Sequence, residues 1–184
     1  MAYLTALVAL FGLLSIVNLM LTFGVVRRLR TQGHGSPPAT KGDPFQGSGL
    51  SVGEPVGDFS VHDTEGRVLT RDSLHEGMLV AFLSPGCLPC EELLPSVVEL
   101  ARAAGPGQVL AAVVWDEDGE ERPDAFVAAL SPVARVAVTR LEGELTQAFG
   151  IRGMPTGVRM GSDGRIAASG RALLRVPHPT KAGA

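Results

Sequence analysis

Cys87 and Cys90 are the only cysteines of the 184-residue chain, and two residues separate them in the segment FLSPGCLPCEELLP (82–95). A thiolate is the form of cysteine that attacks disulfides and binds metals. The segment lies where a short apolar run gives way to a helical pattern. A helix beginning at the pair puts Cys87 at its N-terminus, where unpaired N–H groups and the macrodipole favour the thiolate and lower its pKa. Cys90 then lies one turn in, more buried and less reactive at rest, with Pro89 stiffening the turn between them. Thiol–disulfide exchange follows from this arrangement: Cys87 attacks a disulfide to form a mixed species and Cys90 resolves it.

Three other chemistries compete for the same residues. A structural zinc site needs about four ligands, so the pair would have to recruit two of His34, His62, His75 and His178, none of them spaced as an H-x-x-x-H pair. Two inert buried thiols would make both the spacing and the strand–helix junction coincidental. A peroxidatic cysteine calls for P-x-x-x-[ST]-x-x-C; Ser84 fits that pattern, but Val80 stands where the proline belongs, which argues against a peroxidase.

The elements that must hold the pair are legible on both sides of it. Met78–Leu83 is an unbroken apolar run, the mark of a strand covered on both faces. After Cys90, Leu93, Leu94, Val97, Val98 and Ala101 recur at helical spacing, with Glu91, Glu92, Ser96, Glu99 and Arg102 on the other side. Pro95 lacks the N–H that the helix ladder needs and predicts a kink. Gln108–Trp115 reads as a second buried strand, Pro123–Leu130 as a second helix, Val133–Val138 as a third strand and Gly143–Phe149 as a further helix. Asp58–His62 and Arg67–Thr70 flank the turn-forming Asp63–Gly66, and Thr156–Met160 and Arg165–Ala168 flank Gly161–Gly164, so each pair predicts a hairpin. Strand and helix alternate through the middle of the chain, which predicts an α/β fold whose mixed sheet is parallel at its centre and ends in an antiparallel hairpin.

Outside this domain, placed at 54–170, the composition changes. Ala2–Val26 carries no charged side chain over a stretch longer than the ~20 residues that span a bilayer. No Lys or Arg precedes it, while Arg27, Arg28 and Arg30 follow; residues 1–30 therefore predict a retained single-pass anchor with a basic flank rather than a cleaved signal. Residues 31–53, rich in Gly, Pro and Ser, read as a flexible linker, and 171–184 as a partly disordered tail. A net charge of −3 without a basic stripe gives no footing for a nucleic-acid partner. The Asp116–Glu121 run lacks the glutamate that a calcium loop begun at Asp116 needs at position 127, where Val127 stands, and reads as a solvated turn. Trp115, closing a strand, reads as core.

Far downstream, Gly153-Met154-Pro155-Thr156 precedes the closing strand. Together with the C-x-x-C about 65 residues earlier, it resembles the thioredoxin-like superfamily, whose redox members set a cis-proline opposite the cysteine pair. By that resemblance Pro155 is the matching position, and the backbone of Met154 pairs with a bound substrate strand, a form of edge addition. Within the superfamily the chain is similar to the membrane-anchored disulfide reductases of the TlpA and ResA kind, and most to the methylamine-utilisation accessory proteins of the MauD kind. These share an anchor and an "FLSP-x-C-x-x-C" segment leading into "LLP". The likeness is specific at Phe82–Cys90, Leu93–Pro95 and Gly153–Pro155 and loose elsewhere. It implies a thioredoxin-like domain, an active-site loop of Gly86, Leu88 and Pro89, thiol or disulfide client proteins, an upstream thiol protein that donates or accepts electrons, and no organic cofactor.

Two departures bear on reactivity. Gly86 replaces the aromatic residue that commonly precedes the first cysteine, and Glu91 and Glu92 stand where relatives carry basic residues, opposing thiolate formation. Topology is pulled both ways. The three arginines point the domain toward the cytoplasm, whereas the resemblance points outward, where disulfides persist; the expectation adopted is extracytoplasmic. The reading from a different class is a tethered thioredoxin-fold binding module whose thiols hold a client or a metal ion without turning over.

Overall fold

The computed structural model describes residues 48–116 and 121–176, together with Tyr3 and Gly12, both helical. The chain divides into two compact units, Met1–Gly42 and Asp43–Ala184, and the architecture that follows belongs to the second. Apart from Tyr3 and Gly12, the expected anchor lies outside the described residues, as does most of the expected linker; among those that are described, no helix is long and apolar enough to cross a membrane.

Among the described residues of this unit, seven strands and three α-helices follow one another: β1 (Ser60–His62), β2 (Val68–Thr70), β3 (Leu79–Leu83), α1 (Leu88–Ala104), β4 (Val109–Val114), α2 (Asp124–Leu130), β5 (Arg135–Thr139), α3 (Glu144–Ala148), β6 (Thr156–Met160) and β7 (Ile166–Ser169). β1 and β2 pair antiparallel as a separate ribbon, and the others form one sheet in the order β5-β4-β3-β6-β7. β3, β4 and β5 run parallel, while β6 and β7 close the sheet antiparallel. This is the mixed sheet that the alternation of patterns predicts.

The apolar runs of β3 and β4 are buried at every position, because the sheet is covered on both faces. The period of two divides them. Val80 and Phe82 join Leu110, Ala112 and Val114 in one core, where Phe149 sets its ring 5.2 Å from that of Phe82 and 6.1 Å from that of Phe59. Leu79, Ala81 and Leu83 face the other way, with Val109, Ala111 and Val113, onto Cys90, Leu93, Val97 and Ala101 of α1. One face of α1 thus lies on the sheet, and it carries the inner cysteine with it.

The turn of the first hairpin is organised by Asp63, whose part the sequence pattern does not reveal. Its buried carboxylate accepts the backbone N–H groups of Glu65 (3.0 Å) and Arg67 (2.9 Å) and the Arg67 Nε–H at 2.8 Å, with Arg135 at 3.4 Å. Burial by itself would raise the Asp63 carboxyl, but these hydrogen bonds and the Arg67 charge outweigh it and hold it below its ordinary value. Gly66 turns the chain back with φ +78°.

Residues on either side of 54–170 also make contacts with the sheet and its loops. Ser48 forms an antiparallel bridge with Ile151 and donates its Oγ–H to the Phe149 carbonyl at 2.9 Å; Gly49 bonds Gly150, and Gly53 bonds Ile166. The last residues of the expected linker, 48–53, are therefore a docked segment of bends and a turn. Backbone hydrogen bonds hold most of it, and these leave no apolar periodicity to read. At the other end, Gly170 donates to Gly157, and the 3-10 turn Arg171–Leu174 packs on β6, with Leu174 completely buried beside α1. A Cβ on Gly157 would lie 3.0 Å from the Leu173 Cβ and Leu174 Cδ2 atoms, so the absence of a side chain on β6 lets the turn come down onto the sheet.

Candidate active site

At the end of β3, Ser84, Pro85 and Gly86 turn the chain into α1. Gly86 has φ +71°, and a Cβ there would meet only the Glu121 side chain at an ordinary 3.6 Å. Backbone conformation rather than crowding therefore calls for glycine. Gly86 thus sets the direction in which the first cysteine leaves the strand.

Cys87 is the N-cap residue of α1, with extended backbone (φ −96°, ψ 101°), and its carbonyl accepts the Cys90 N–H at 2.8 Å. Pro89 occupies the first turn, where a missing N–H costs nothing. Leu88 is 66% exposed beside the half-buried Cys87, whereas Cys90 is completely buried. The helix period brings the two thiols together: the Cys90 Sγ–H donates to the Cys87 Sγ at 2.7 Å, and the Cys87 Sγ–H points to the Met154 carbonyl at 3.9 Å.

Met154 and Pro155 come from the loop before β6. The antiparallel pairing of Phe82 with Thr156 carries that loop to the end of β3 from which the cysteine turn departs. The Met154–Pro155 peptide is cis, Pro155 is buried, and the Met154 side chain packs against both cores. Thr156, also buried, donates its hydroxyl to the Gly153 carbonyl at 2.7 Å and ties the loop across its own turn. The structure thus gathers all seven residues singled out from the sequence, Gly86, Cys87, Leu88, Pro89, Cys90, Met154 and Pro155, at one end of the sheet.

Burial, first, and the hydrogen bond to Cys87, second, push the Cys90 thiol up to about 12 from an ordinary 9.0; a backbone hydrogen bond from Ser84 and the Arg171 charge act against them. The inner sulfur therefore stays protonated at rest while the outer one meets solvent. The carboxylate of Glu92 faces Arg171, 4.0 Å from its guanidinium. Arg171 and Glu121 both escape the reading from sequence, because nothing in their local pattern connects either of them to the cysteines.

The remaining candidates lie elsewhere. His75 bonds Gln108 at 3.1 Å, at the opposite end of β3 and β4, and His62 is exposed on β1; His34 and His178 lie outside the described residues. Trp115 is half-buried at the end of β4, and its ring N–H is buried without a protein partner. Asp116 and Glu121 are exposed, and the four residues between them lie outside the described set.

No protein-family model matches the sequence, and no curated protein matches it. Solved structures do. A thio-disulfide isomerase from Thermus thermophilus superposes with a TM-score of 0.52 at 19% identity, over 66% of this chain and 86% of that one. The thioredoxin domain of a thiol-disulfide oxidoreductase from Bacteroides vulgatus gives 0.52 at 16% identity, over 65% and 88%. A thiol:disulfide interchange protein from a Bacteroides species gives 0.51 at 18%, over 65% and 81%. The strand order, the cysteine pair at the start of α1, the cis-proline loop opposite it and these superpositions together identify the fold as thioredoxin-like.

Proposed function

We propose that the protein is a thiol–disulfide oxidoreductase that exchanges disulfides with client proteins, anchored to a membrane by residues 1–30. One observation carries the catalytic part: two free thiols 2.7 Å apart at a helix start, the outer one reachable and the inner one completely buried. Cys87 attacks a client disulfide, Cys90 attacks the resulting mixed disulfide, and the client leaves with both sulfurs reduced while the pair becomes a disulfide. Met154 and Pro155 form the wall opposite, and the Met154 backbone supplies the edge on which an extended client segment docks. Exposed Leu88 adds an apolar contact beside the nucleophile. Electrons pass to or from the pair through another thiol protein, with no organic cofactor.

The similar structures, all of proteins named for thiol–disulfide chemistry, support this reading. The finer likeness to accessory proteins of the MauD kind rests on the FLSPGCLPC and LLP segments. The charge-free Ala2–Val26 stretch supports the anchor, and the dependence of disulfide chemistry on an oxidising compartment supports an extracytoplasmic domain.

Insulin-disulfide reduction tests the chemistry. Cys87→Ser abolishes it, and Cys90→Ser traps a mixed disulfide with the client; a protein that binds its client equally after either change is a binding module instead. Alkaline phosphatase or a fluorescent protein fused after Ala184 tests the topology, since the two report from opposite sides of the membrane.

A further inference from the structure

A disulfide that reaches Cys87 must pass the charged side chains around it. In the first turn of α1, the Glu91 N–H donates to the Cys87 carbonyl at 3.1 Å, so exposed Glu91 stands one helical turn from the attacking thiol. A second carboxylate arrives from a different part of the chain. Exposed Glu121, in the segment between β4 and α2, lies over the cysteine turn: a Cβ on Gly86 would meet the Glu121 Cγ at 3.6 Å and its Cβ at 3.8 Å. The side chain thus covers the residue immediately before Cys87.

Nearby arginines are turned to other groups. Arg171 lies 4.0 Å from Glu92 and Arg122 lies 3.8 Å from Asp124. Arg152, two residues before Met154, sets its guanidinium against the docked segment, where a Cβ on Gly49 would meet the Arg152 Nε at 2.7 Å. Among the described residues, neither Glu91 nor Glu121 forms an ion pair. With exposed Leu88 beside the thiol, the surface that a client meets is apolar at its centre and carries a carboxylate on either side.

We infer that Glu91 and Glu121 select the clients of this site: disulfides flanked by lysine or arginine are exchanged in preference to those flanked by acidic residues. This rests on the redox reading above. In the step they act on, the Cys87 sulfur forms a bond to one client sulfur, the client disulfide breaks, and its second sulfur leaves as a thiolate while the Cys87 proton goes to solvent. Attack by Cys90 then releases the first client sulfur, and two electrons have passed from the cysteine pair to the client. Exposed carboxylates act on an approaching charge through water, so each contributes a modest attraction that salt screens. The same charge that draws a cationic client repels an anionic one, and the two effects multiply in the ratio of their rates.

Three small disulfides of similar size and different charge test this on the reduced full-length chain in nonionic detergent: cystamine with two ammonium groups, neutral hydroxyethyl disulfide, and dithiodipropionate with two carboxylates. The rate of protein-thiol loss with each is divided by its rate with mercaptoethanol, which removes the intrinsic reactivity of the disulfide. The corrected cystamine rate should exceed that of dithiodipropionate by about tenfold at about 0.01 M salt and by less than about twofold at about 1 M. Glu121→Gln and Glu91→Gln should each lower the low-salt ratio about threefold, and the ratio cancels any change in the reactivity of Cys87 itself. Glu99→Gln removes the same charge from an exposed position about two turns further along α1 and should leave the ratio as it was. Equal corrected rates for the three disulfides at low salt overturn the inference, as does a ratio unmoved in Glu121→Gln or in Glu91→Gln. A Glu99→Gln chain whose ratio falls as far also overturns it, since net charge rather than position would then be the cause. A chain whose Cys87 reacts with none of the three refutes the redox reading itself, a result distinct from these.

Discussion

Alkylation of Cys90 measures the asymmetry on which the chemistry depends. Burial and the hydrogen bond to Cys87 push its thiol up to about 12 from an ordinary 9.0. At neutral pH the thiolate population therefore falls by orders of magnitude below that of an ordinary cysteine. Alkylation proceeds through the thiolate, so this factor passes directly into the rate, and complete burial adds to it by denying the reagent access. With iodoacetamide at pH 7.5 and peptide mapping by mass spectrometry, initial modification should fall on Cys87. Labelling of Cys90 should be at least a hundredfold slower than in the same chain unfolded in guanidinium chloride. The folded chain should regain Cys90 labelling only as the pH rises toward 12 or as the protein opens. Cys90 labelling in the folded state within about tenfold of the unfolded rate would refute the argument, because neither the burial nor the proton shared with Cys87 would then exist in solution.

Three further outcomes follow from the same structure. Asp63→Asn should cost about 1–3 kcal/mol at neutral pH by weakening the charge-assisted bonds that its buried carboxylate accepts from the Glu65 and Arg67 N–H groups, read by guanidinium unfolding. Because the folded carboxyl lies below its ordinary 3.8, its stabilisation is present above that value and is lost as the pH falls through it toward the folded pKa; Asp63→Asn should flatten that part of the stability curve. Leu174→Ala, at a completely buried side chain, should cost about 2–5 kcal/mol, whereas Leu88→Ala should stay within about 0.5 kcal/mol and instead raise KM for a protein disulfide; thermal unfolding and insulin reduction separate the two. Gly86→Ala, forced to φ +71°, should cost about 1 kcal/mol or more and slow adduct formation at Cys87, with Ala at the exposed Gly53 as the comparison for backbone cost alone.

Local chemistry makes a large part of this protein legible in its sequence. Short unbroken apolar runs bounded by turn residues read as strands covered on both faces, so β3 and β4 stood out, and the spacing of Leu93, Val97 and Ala101 marked the face of α1 that lies on the sheet. The cysteines sit at the change from one periodicity to the other, which is why their place at a helix start could be read directly. The mixed character of the sheet followed from alternating patterns and the closing hairpin. Order was another matter: that β3 lies between β4 and β6 depends on which edges find partners, and this alone brings Met154 and Pro155, about 65 residues away in sequence, against Cys87.

The residues that escaped notice act through space. Ser48 is held by a backbone bridge to Ile151, Asp63 by N–H groups across a turn, and Arg171 by a 3-10 turn lodged where Gly157 has no side chain. None of these leaves a period or a composition to read, and each extends or charges the domain in a way only folding decides. Composition and periodicity told which segments are buried and where two thiols start a helix, because those are properties of neighbours along the chain. Which loop faces the outer thiol is a property of neighbours across the chain, and only the packed structure supplies it.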